Sequence, residues 1–201
     1  MSRPKIQGLF LDLGNVVCTV DIGATLRGLG LSEEEWSHAR VNAWSVYDSF
    51  ERGRLSEQEF YEQASESLEV EIPFETFIQA WNACLPHPVP GVEELISQIE
   101  IPIFALSNTN ETHIEHLHKT QSVMKIFTDI YTSYRFECRK PEAMIYEKAL
   151  KASNLTPHEV LFIDDLEENI SSAKEVGIHA EHCFNSSEQM KEILRKYCLV
   201  K

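Results

Sequence analysis

Short apolar runs alternate with amphipathic segments along most of this chain, and this alternation restricts its fold more than any other feature. The apolar runs predict strands at 9–11, 101–106, 130–133, 160–163 and 178–182. Helices are predicted near 92–99, 111–120, 142–152, 167–176 and 187–197. Such alternation is typical of a parallel sheet that is covered by helices on both faces. We therefore expect an α/β fold.

A different pattern follows the first strand, where residues 22–88 have helical periodicity and contain all three tryptophans of the chain. Ser32 with Glu35, and Ser56 with Glu59, match the capping box that satisfies the free amides at the start of a helix. The sequence therefore predicts a helical insert at 18–88, and a core domain formed by 1–17 together with 89–201.

Composition and charge exclude several classes of protein. Among the 201 residues, 43% are hydrophobic and 25% are charged, which suits a globular chain with one core and a small insert. The formal net charge of -14 argues against binding nucleic acid through phosphate neutralisation. No apolar run is long enough to span a bilayer, and Asp12 interrupts the only stretch that resembles a secretory signal. The five scattered cysteines suggest a reducing compartment, so we expect a cytoplasmic protein, whose oligomeric state the sequence leaves open.

Polar residues that can carry chemistry follow three of the predicted strands. Asp12 ends the first strand, Ser107–Thr109 end the second, and Asp164 with Asp165 end a later one. Because the carboxyl ends of parallel strands meet at one edge of a sheet, we expect these side chains to lie together. A hydroxyl and an amide before a helix favour a phosphate, and clustered carboxylates favour Mg²⁺. Taken singly, each segment is also explained by a turn or a helix cap.

Lys140 precedes Pro141 at the predicted start of a helix. Proline restrains the residue before it, so this lysine is held outside the helix. A lysine fixed at the same edge of the sheet can neutralise negative charge that develops on a phosphoryl group. The simpler alternative is a surface lysine.

Five features follow one another along the chain: a strand-end Asp, a helical insert, a strand-end Ser-Asn, a Lys-Pro and a strand-end Asp-Asp. This order resembles that of the haloacid dehalogenase superfamily of hydrolases. The resemblance covers essentially the whole chain. It implies a Rossmann-like core with a mobile cap of the small helical-bundle (C1) type, and a Mg²⁺-dependent phosphatase that acts on a small phosphorylated metabolite. Asp12 would be the nucleophile that forms an aspartyl-phosphate.

The resemblance also implies roles for the other motif residues. The magnesium ligands would be Asp12, the carbonyl of Gly14, Asp165, and Asp164 either directly or through water. The phosphoryl group would be held by Ser107 and Asn108, with Thr109 nearby and Lys140 bridging it to the nucleophile. Arg52, which flanks the predicted turn at Gly53, is a candidate substrate contact, although a solvated surface position explains it equally well.

Gly14 departs from the family pattern, because most family phosphatases carry an aspartate there as general acid and base. Such a group is typically worth about a hundred- to ten-thousandfold in rate. The DLGN sequence is similar to that of bacterial members that include phosphatases of α-glucose 1-phosphate, so a sugar phosphate is the leading expectation. His113, one turn into the helix after Asn110, is a candidate for moving the proton, with a packing role as the alternative.

Three rival functions remain open at this point. A dehalogenase would use the same nucleophile without a metal. Dehalogenases of this superfamily lack a carboxylate pair like Asp164 and Asp165, so the presence of this pair argues against that function. A phosphoacceptor signalling domain has a different motif order. A non-catalytic phosphate-binding protein would explain Gly14. Within the insert, Trp36, Trp44 and Tyr47 either stack on a sugar or form the core of the cap.

Overall fold

The computed structural model describes residues 5–201, apart from the side chain of Arg40. Residues 1–4, which the sequence assigns to the core domain, lie outside the described residues. Five strands form one sheet in the order β3-β2-β1-β4-β5, and every pairing is parallel. The strands are β1 (Gly8–Leu11), β2 (Ile103–Ser107), β3 (Asp129–Thr132), β4 (Val160–Asp164) and β5 (His179–His182). The predicted α/β fold is confirmed.

Helices occupy most of the chain between the strands. They are α1 (Ile22–Leu29), α2 (Glu33–Glu51), α3 (Glu57–Leu68), α4 (Phe74–Asn82), α5 (Val92–Ile96), α6 (Glu111–Thr120), α7 (Ser133–Phe136), α8 (Ala143–Ser153), α9 (Glu167–Glu175) and α10 (Ser187–Lys196). Short 3-10 turns lie at Ser122–Lys125 and Pro157–Glu159. The sequence did not predict α7, because four residues are too few to show a helical period. Pro141 precedes α8 rather than lying in its first turn.

Each face of the sheet has its own apolar core. In β1, Leu9 and Leu11 pack into one core and Phe10 packs into the other. Helices α5, α6 and α10 cover the first core, whereas α8 and α9 cover the second. Because both faces are buried at the centre of the sheet, β1, β2 and β4 are nearly continuous apolar runs, whereas β3 and β5 at the edges contain polar residues. None of the described helices combines the length and apolar character that crossing a bilayer requires.

The helices α1 to α4 pack around a separate, aromatic core. Phe60 stacks on Phe50 with ring centroids 4.1 Å apart, and Trp81 lies 4.8 Å from Phe60. Both predicted capping boxes are present, at Ser32 and at Ser56. The insert therefore contains enough buried aromatic surface to form a packed unit of its own.

The two segments that connect the insert to the sheet run side by side. The Thr19 amide donates to the His87 carbonyl at 3.0 Å, and the Val89 amide donates to the Val17 carbonyl at 2.8 Å. Cys18 and Pro88 form an antiparallel bridge between these hydrogen bonds. The segments before and after the helices α1 to α4 are thus held together next to the sheet.

Candidate active site

The carboxylates of Asp12, Asp164 and Asp165 come together at the carboxyl edge of the sheet. Leu11 of β1 pairs with Ile163 of β4, so the residues that follow these two partners are neighbours. Each of the three side chains offers an oxygen atom, and these atoms lie within 4.8 Å of one another. The arrangement that the strand ends predicted is present in the fold.

Lys140 lies between two of these carboxylates and is only 2% exposed. Its Nζ is 2.8 Å from Asp12 Oδ1 and 2.6 Å from Asp164 Oδ2. A buried charge needs such partners, since an unpaired ammonium in the interior is costly. Lys140 is therefore an internal cation and not a surface lysine.

Asn108 fixes the position of Lys140 through its side chain. Its Oδ1 accepts from the Lys140 amide at 2.8 Å, and its Nδ2 donates to the Lys140 carbonyl at 2.9 Å. The resemblance implied that Asn108 holds the phosphoryl group, but these bonds engage both polar atoms of its side chain. The structure thus points to a positioning role for the Asn108 side chain.

The rest of the loop after β2 is held by a serine that the sequence did not single out. Ser133 Oγ accepts from the Thr109 amide and donates to the Thr109 carbonyl, both at 3.0 Å. Ser107 is buried at the end of β2, where it pairs with Thr132 of β3. Ser107 therefore lies at the same carboxyl edge of the sheet as Asp12.

The two adjacent aspartates have different surroundings. Asp164 Oδ1 accepts from the Leu166 amide at 2.8 Å and from Asn169 Nδ2 at 2.9 Å, while Oδ2 accepts from Lys140. Asp165 is half-buried, and its Oδ2 accepts from Asn15 Nδ2 at 3.0 Å. Because the protein engages both oxygens of Asp164, Asp165 is the better placed of the two for a further ligand.

Asn15 and Asn169 are positioning residues that the sequence analysis missed. Asn15 has a φ of 53°, a left-handed conformation that asparagine tolerates better than most residues. Its Oδ1 accepts from the Val20 amide at 3.2 Å, which leaves Nδ2 free to hold Asp165. The asparagine that follows Gly14 in the DLGN segment was the available signal for this role.

Burial and mutual repulsion perturb the titration of the cluster. Burial raises the pKa of Asp12 to about 7, and the Asp164 charge adds to this against the opposing effect of Lys140. Burial also raises the pKa of Asp165. Although burial alone lowers the pKa of Lys140, the charges of Asp12 and Asp164 outweigh it and raise that pKa. Three carboxylates thus face one cation, and this set of oxygen donors fits a hard divalent ion.

Gly14 lies beside Asp12, and a side chain at this position would contact Val20 closely. A Cβ at this position would lie 3.8 Å from Asp12 Oδ2 and 3.3 Å from Val20 Cγ2. A side chain here would therefore project next to a carboxylate oxygen of Asp12. With glycine, the position supplies no titratable group.

His113 does not take the place of the missing acid. Its ring stacks on Trp81 at 5.0 Å, with Nε2 3.3 Å from the Trp81 carbonyl and Nδ1 3.2 Å from Asn110 Nδ2. This pattern fits a neutral ring that donates from Nε2 and accepts at Nδ1. Burial lowers the pKa of His113 to about 4. Both nitrogens are engaged within the protein, so His113 is a packing residue.

Arg52 pairs with carboxylates instead of facing an open site. Its Nε lies 2.8 Å from Asp48 of α2, and its Nη2 lies 2.6 Å from Glu142 of the core. Arg139 of the core makes the reciprocal contacts, at 3.2 Å to both Asp48 and Glu51. These ion pairs join the end of α2 to the loop that carries Lys140.

A cavity of about 600 Å³ lies between the insert and the core. Gly14, Ser107, Asn108 and Thr109 line its inner end. The other walls are mainly apolar and aromatic, and they include Trp36, Trp44, Tyr47 and Trp81. Trp36 and Tyr47 also pack against the aromatic core of the insert, which is one of the two roles that the sequence left open.

Comparisons with known proteins agree with this architecture. A family model described as haloacid dehalogenase-like hydrolase matches residues 48–181. A D-ribitol-5-phosphate phosphatase of Bacteroides thetaiotaomicron is 24% identical over 199 residues, which cover 94% of this chain and 97% of that protein. A sesquiterpene phosphatase of Aspergillus oryzae is 26% identical over 199 residues, which cover 93% of this chain and 94% of that protein.

Solved structures share the fold. A HAD family enzyme of Bacteroides thetaiotaomicron superimposes with a TM-score of 0.85 at 24% identity, covering 94% of this chain and 98% of that one. The same enzyme in complex with magnesium and inorganic phosphate gives a TM-score of 0.79 at 24% identity, covering 88% and 93% of the two chains. The family model spans well over half of the residues described here, so the chain belongs to the haloacid dehalogenase-like hydrolase family.

Proposed function

We propose that this chain is a Mg²⁺-dependent phosphatase that hydrolyses a small phosphorylated metabolite through an aspartyl-phosphate on Asp12. The observation that carries the proposal is the buried cluster in which Lys140 joins Asp12 and Asp164, with Asp165 beside them. Two curated relatives are named phosphatases, and a solved structure of the same fold contains magnesium and inorganic phosphate.

The residues that would hold magnesium are Asp12, Asp165 and the carbonyl of Gly14, with Asp164 acting through water. The engagement of both Asp164 oxygens by protein donors supports the indirect role. When bound, the ion neutralises charge on the carboxylates and on the phosphoryl oxygens, which stabilises the transition state.

The chain's own residues account for two displacements at phosphorus. An Asp12 oxygen attacks the phosphorus, and the bond between phosphorus and the ester oxygen breaks as the alcohol leaves. Water then attacks the phosphorus and loses a proton to solvent, and the bond between phosphorus and the Asp12 oxygen breaks, which releases inorganic phosphate and restores the Asp12 carboxylate. Lys140 holds Asp12 in line and offsets negative charge, and the Ser107 hydroxyl donates to the phosphoryl group. Since Gly14 carries no acid, the leaving oxygen takes its proton from water.

The insert at 18–88 would act as the cap over this site, with 1–17 and 89–201 as the core. The paired connecting segments at Cys18 and Pro88 support this division, as does the separate aromatic core. The ion pairs of Arg52 and Arg139 correspond to a closed position of the cap. Closure would exclude water from the carboxylate cluster.

A sugar phosphate as substrate stays a prediction from the DLGN segment. One relative is named for D-ribitol 5-phosphate, which supports a polar leaving group, whereas the other is named for a sesquiterpene. The relatives therefore support a phosphate monoester without choosing its alcohol.

The test is phosphate release from 4-nitrophenyl phosphate by the purified chain, with Mg²⁺ and with a chelator. We expect turnover that the chelator abolishes and that Asp12→Asn lowers by about a thousandfold or more, since the nucleophile is lost. Asp129→Asn is the matched control, because Asp129 is an exposed residue of β3. Metal-independent halide release from a 2-haloacid would indicate a dehalogenase instead. Phosphate binding without turnover of any ester would indicate a non-catalytic binding protein.

A further inference from the structure

We infer that the substrate is the phosphate monoester of a hydrophobic alcohol, whose hydrocarbon body fills the cavity between the insert and the core. The inference rests on the proposed phosphatase function and names the substrate class of that same site. It replaces the sugar alcohol that the DLGN segment suggests with an alkyl, prenyl or aryl group.

The position of the cavity assigns it to the leaving group. It is lined by Gly14, which lies beside Asp12, and by Ser107 at the strand edge. An ester whose phosphorus lies at Asp12 must therefore direct its alcohol into this space. At about 600 Å³ the cavity is within the usual range for a site that encloses a small organic ligand.

The walls of this cavity suit a hydrocarbon ligand. Leu13, Val20, Leu85 and Leu117 contribute aliphatic surface from the core side and the connecting segments. Trp36 and Trp81 contribute aromatic surface from the insert. Burying apolar surface of a ligand against such walls is favourable in proportion to the area removed from water.

The polar groups of the walls are mostly engaged within the protein. Arg139 and Glu51 pair with each other at 3.2 Å, and the His113 ring bonds to Trp81 and Asn110. Two buried donors of the lining, Tyr47 Oη and Trp81 Nε1, have no hydrogen-bond partner among the described residues. A sugar or polyol carries several hydroxyls, and each hydroxyl that is buried without a partner costs binding free energy. The lining therefore suits an alcohol with few polar groups.

The mouth of the cavity supplies an independent observation. Six large hydrophobic residues are exposed in the described part of the chain, and three of them line this cavity. These are Ile22 at 46%, Val41 at 72% and Trp44 at 57% exposure. Exposed apolar patches of this kind mark ligand or partner sites. These residues line the same cavity as Gly14 beside Asp12, so the ligand that they contact is the apolar part of the substrate itself.

The experiment compares kcat/KM for a series of primary n-alkyl phosphates with that for ribitol 5-phosphate. All of these esters release a primary alcohol, so the comparison is not affected by the proton that Gly14 fails to supply. We expect kcat/KM to rise by about fourfold per methylene until the cavity is filled, which corresponds to the burial of each added CH₂. Octyl phosphate should exceed ribitol 5-phosphate by about a hundredfold or more on the same basis.

A double variant of the exposed residues that line the cavity tests whether the alkyl chain of the substrate lies there. Val41→Ser combined with Trp44→Ser should lower kcat/KM for octyl phosphate by about tenfold and leave ethyl phosphate within about twofold, because only the long chain reaches the mouth. Met144→Ser is the matched control, since Met144 is equally exposed but does not line the cavity. All three positions are at the surface, so the variants should remain folded, which circular dichroism can verify.

The inference is overturned if kcat/KM does not change with the length of the alkyl chain, or if it is higher for ribitol 5-phosphate. Turnover of the aryl phosphate with Mg²⁺ would in that case still support the phosphatase proposal. If no ester is turned over, the phosphatase proposal fails, and calorimetry with octylphosphonate and methylphosphonate then decides the cavity's ligand. Tighter binding of octylphosphonate by about a hundredfold supports an apolar ligand, and equal binding contradicts it.

Discussion

Lys140 is the single residue on which the electrostatics of the acidic cluster depend. It is held at both backbone groups by Asn108 and at its ammonium by Asp12 and Asp164. The ion pairs are buried, so solvent does not replace them when one partner is removed. Burial of unpaired charge is among the more costly defects in a folded protein.

Lys140→Met should therefore lower the free energy of unfolding of the metal-free protein by about 3–5 kcal/mol, since two buried carboxylates lose their cation. It should also abolish phosphatase turnover. Urea unfolding measures the first effect and phosphate release the second. Lys119→Met is the control, because the exposed Lys119 pairs with Glu115 on the same helix and its loss should cost about 0.5 kcal/mol or less. Equal costs for the two variants would contradict a buried, paired Lys140.

His113 tests whether the missing acid at Gly14 has been replaced on α6. Because its ring is neutral and engaged at both nitrogens, we expect His113→Gln to keep the aryl phosphate turnover within about threefold, well short of the loss of a general acid. The pH profile of kcat should keep its shape. A loss of about a hundredfold or more in a stably folded variant would instead assign proton transfer to His113.

At the scale of the elements, the turn after α2 brings the insert against the core. Gly53 has a φ of 70°, and a Cβ on it would lie 2.5 Å from the main-chain carbonyl oxygen of Tyr134. Only a residue without a side chain permits this approach. The turn thus determines how closely the insert sits over the strand edge.

Gly53→Ala should weaken that contact, and Gly30→Ala is the matched control. Gly30 has a φ of 74°, but a Cβ there meets nothing within 4 Å. Both variants incur the left-handed penalty of about 1 kcal/mol, whereas Gly53→Ala adds an overpacking cost of about 1–3 kcal/mol. Chemical denaturation should show this difference, and only Gly53→Ala should lower kcat/KM. Identical behaviour of the two variants would argue that the insert does not close in this way.

The ion pair between Arg52 and Glu142 gives a second test at this scale. It decides whether Arg52 contacts the substrate or acts as a latch, that is, an ion pair that holds the insert against the core. If Arg52 is a latch, Arg52→Ala and Glu142→Ala should raise KM similarly, and the double variant should show a coupling energy of about 0.5–1 kcal/mol. The exposed neighbour Arg54 is the control, and Arg54→Ala should leave KM unchanged. A rise in KM for Arg52→Ala alone, with additive behaviour in the double variant, would restore the substrate-binding role.

At the scale of the whole molecule, the acidic cluster links the stability of the fold to divalent ions and to pH. The folded protein raises the pKa of Asp12 to about 7, so it binds this proton more tightly than the unfolded chain does. The contribution of Asp12 to the free energy of unfolding is therefore greatest below pH 4 and is lost as the pH rises through 7. Binding of a divalent ion requires the ionised carboxylate and reverses this dependence.

Mg²⁺ at a hundred times its dissociation constant should raise the free energy of unfolding by about 2.7 kcal/mol, or the Tm by about 5–10 °C. The increment should grow between pH 5.5 and 7.5, because protons compete for Asp12 at the lower pH. Thermal unfolding with and without Mg²⁺ across this range measures it. In Asp12→Asn the growth with pH should become smaller, because only Asp165 with its raised pKa then competes for protons, and an unchanged pH dependence in that variant would contradict the linkage.

Much of the fold could be predicted because its signals are local. Strand β1 is an apolar run, the helix starts at Ser32 and Ser56 carry their capping boxes in sequence, and each of these predictions is confirmed. The strand ends likewise indicated that Asp12 and Asp165 would lie together, since the carboxyl ends of parallel strands share an edge. The short helix α7 escaped prediction because it has no period to detect.

The amino-acid sequence by itself indicated the five strands, the helical character of residues 22–88 and the carboxylates that cluster, because periodicity, capping and strand-end chemistry act over a few residues. Only the tertiary structure decided that Asn108 holds Lys140, that Arg52 meets a glutamate 90 residues away and that the site opens into an apolar cavity. The physical reason is that these features depend on which distant side chains satisfy one another's hydrogen bonds, charges and apolar surface once water is excluded.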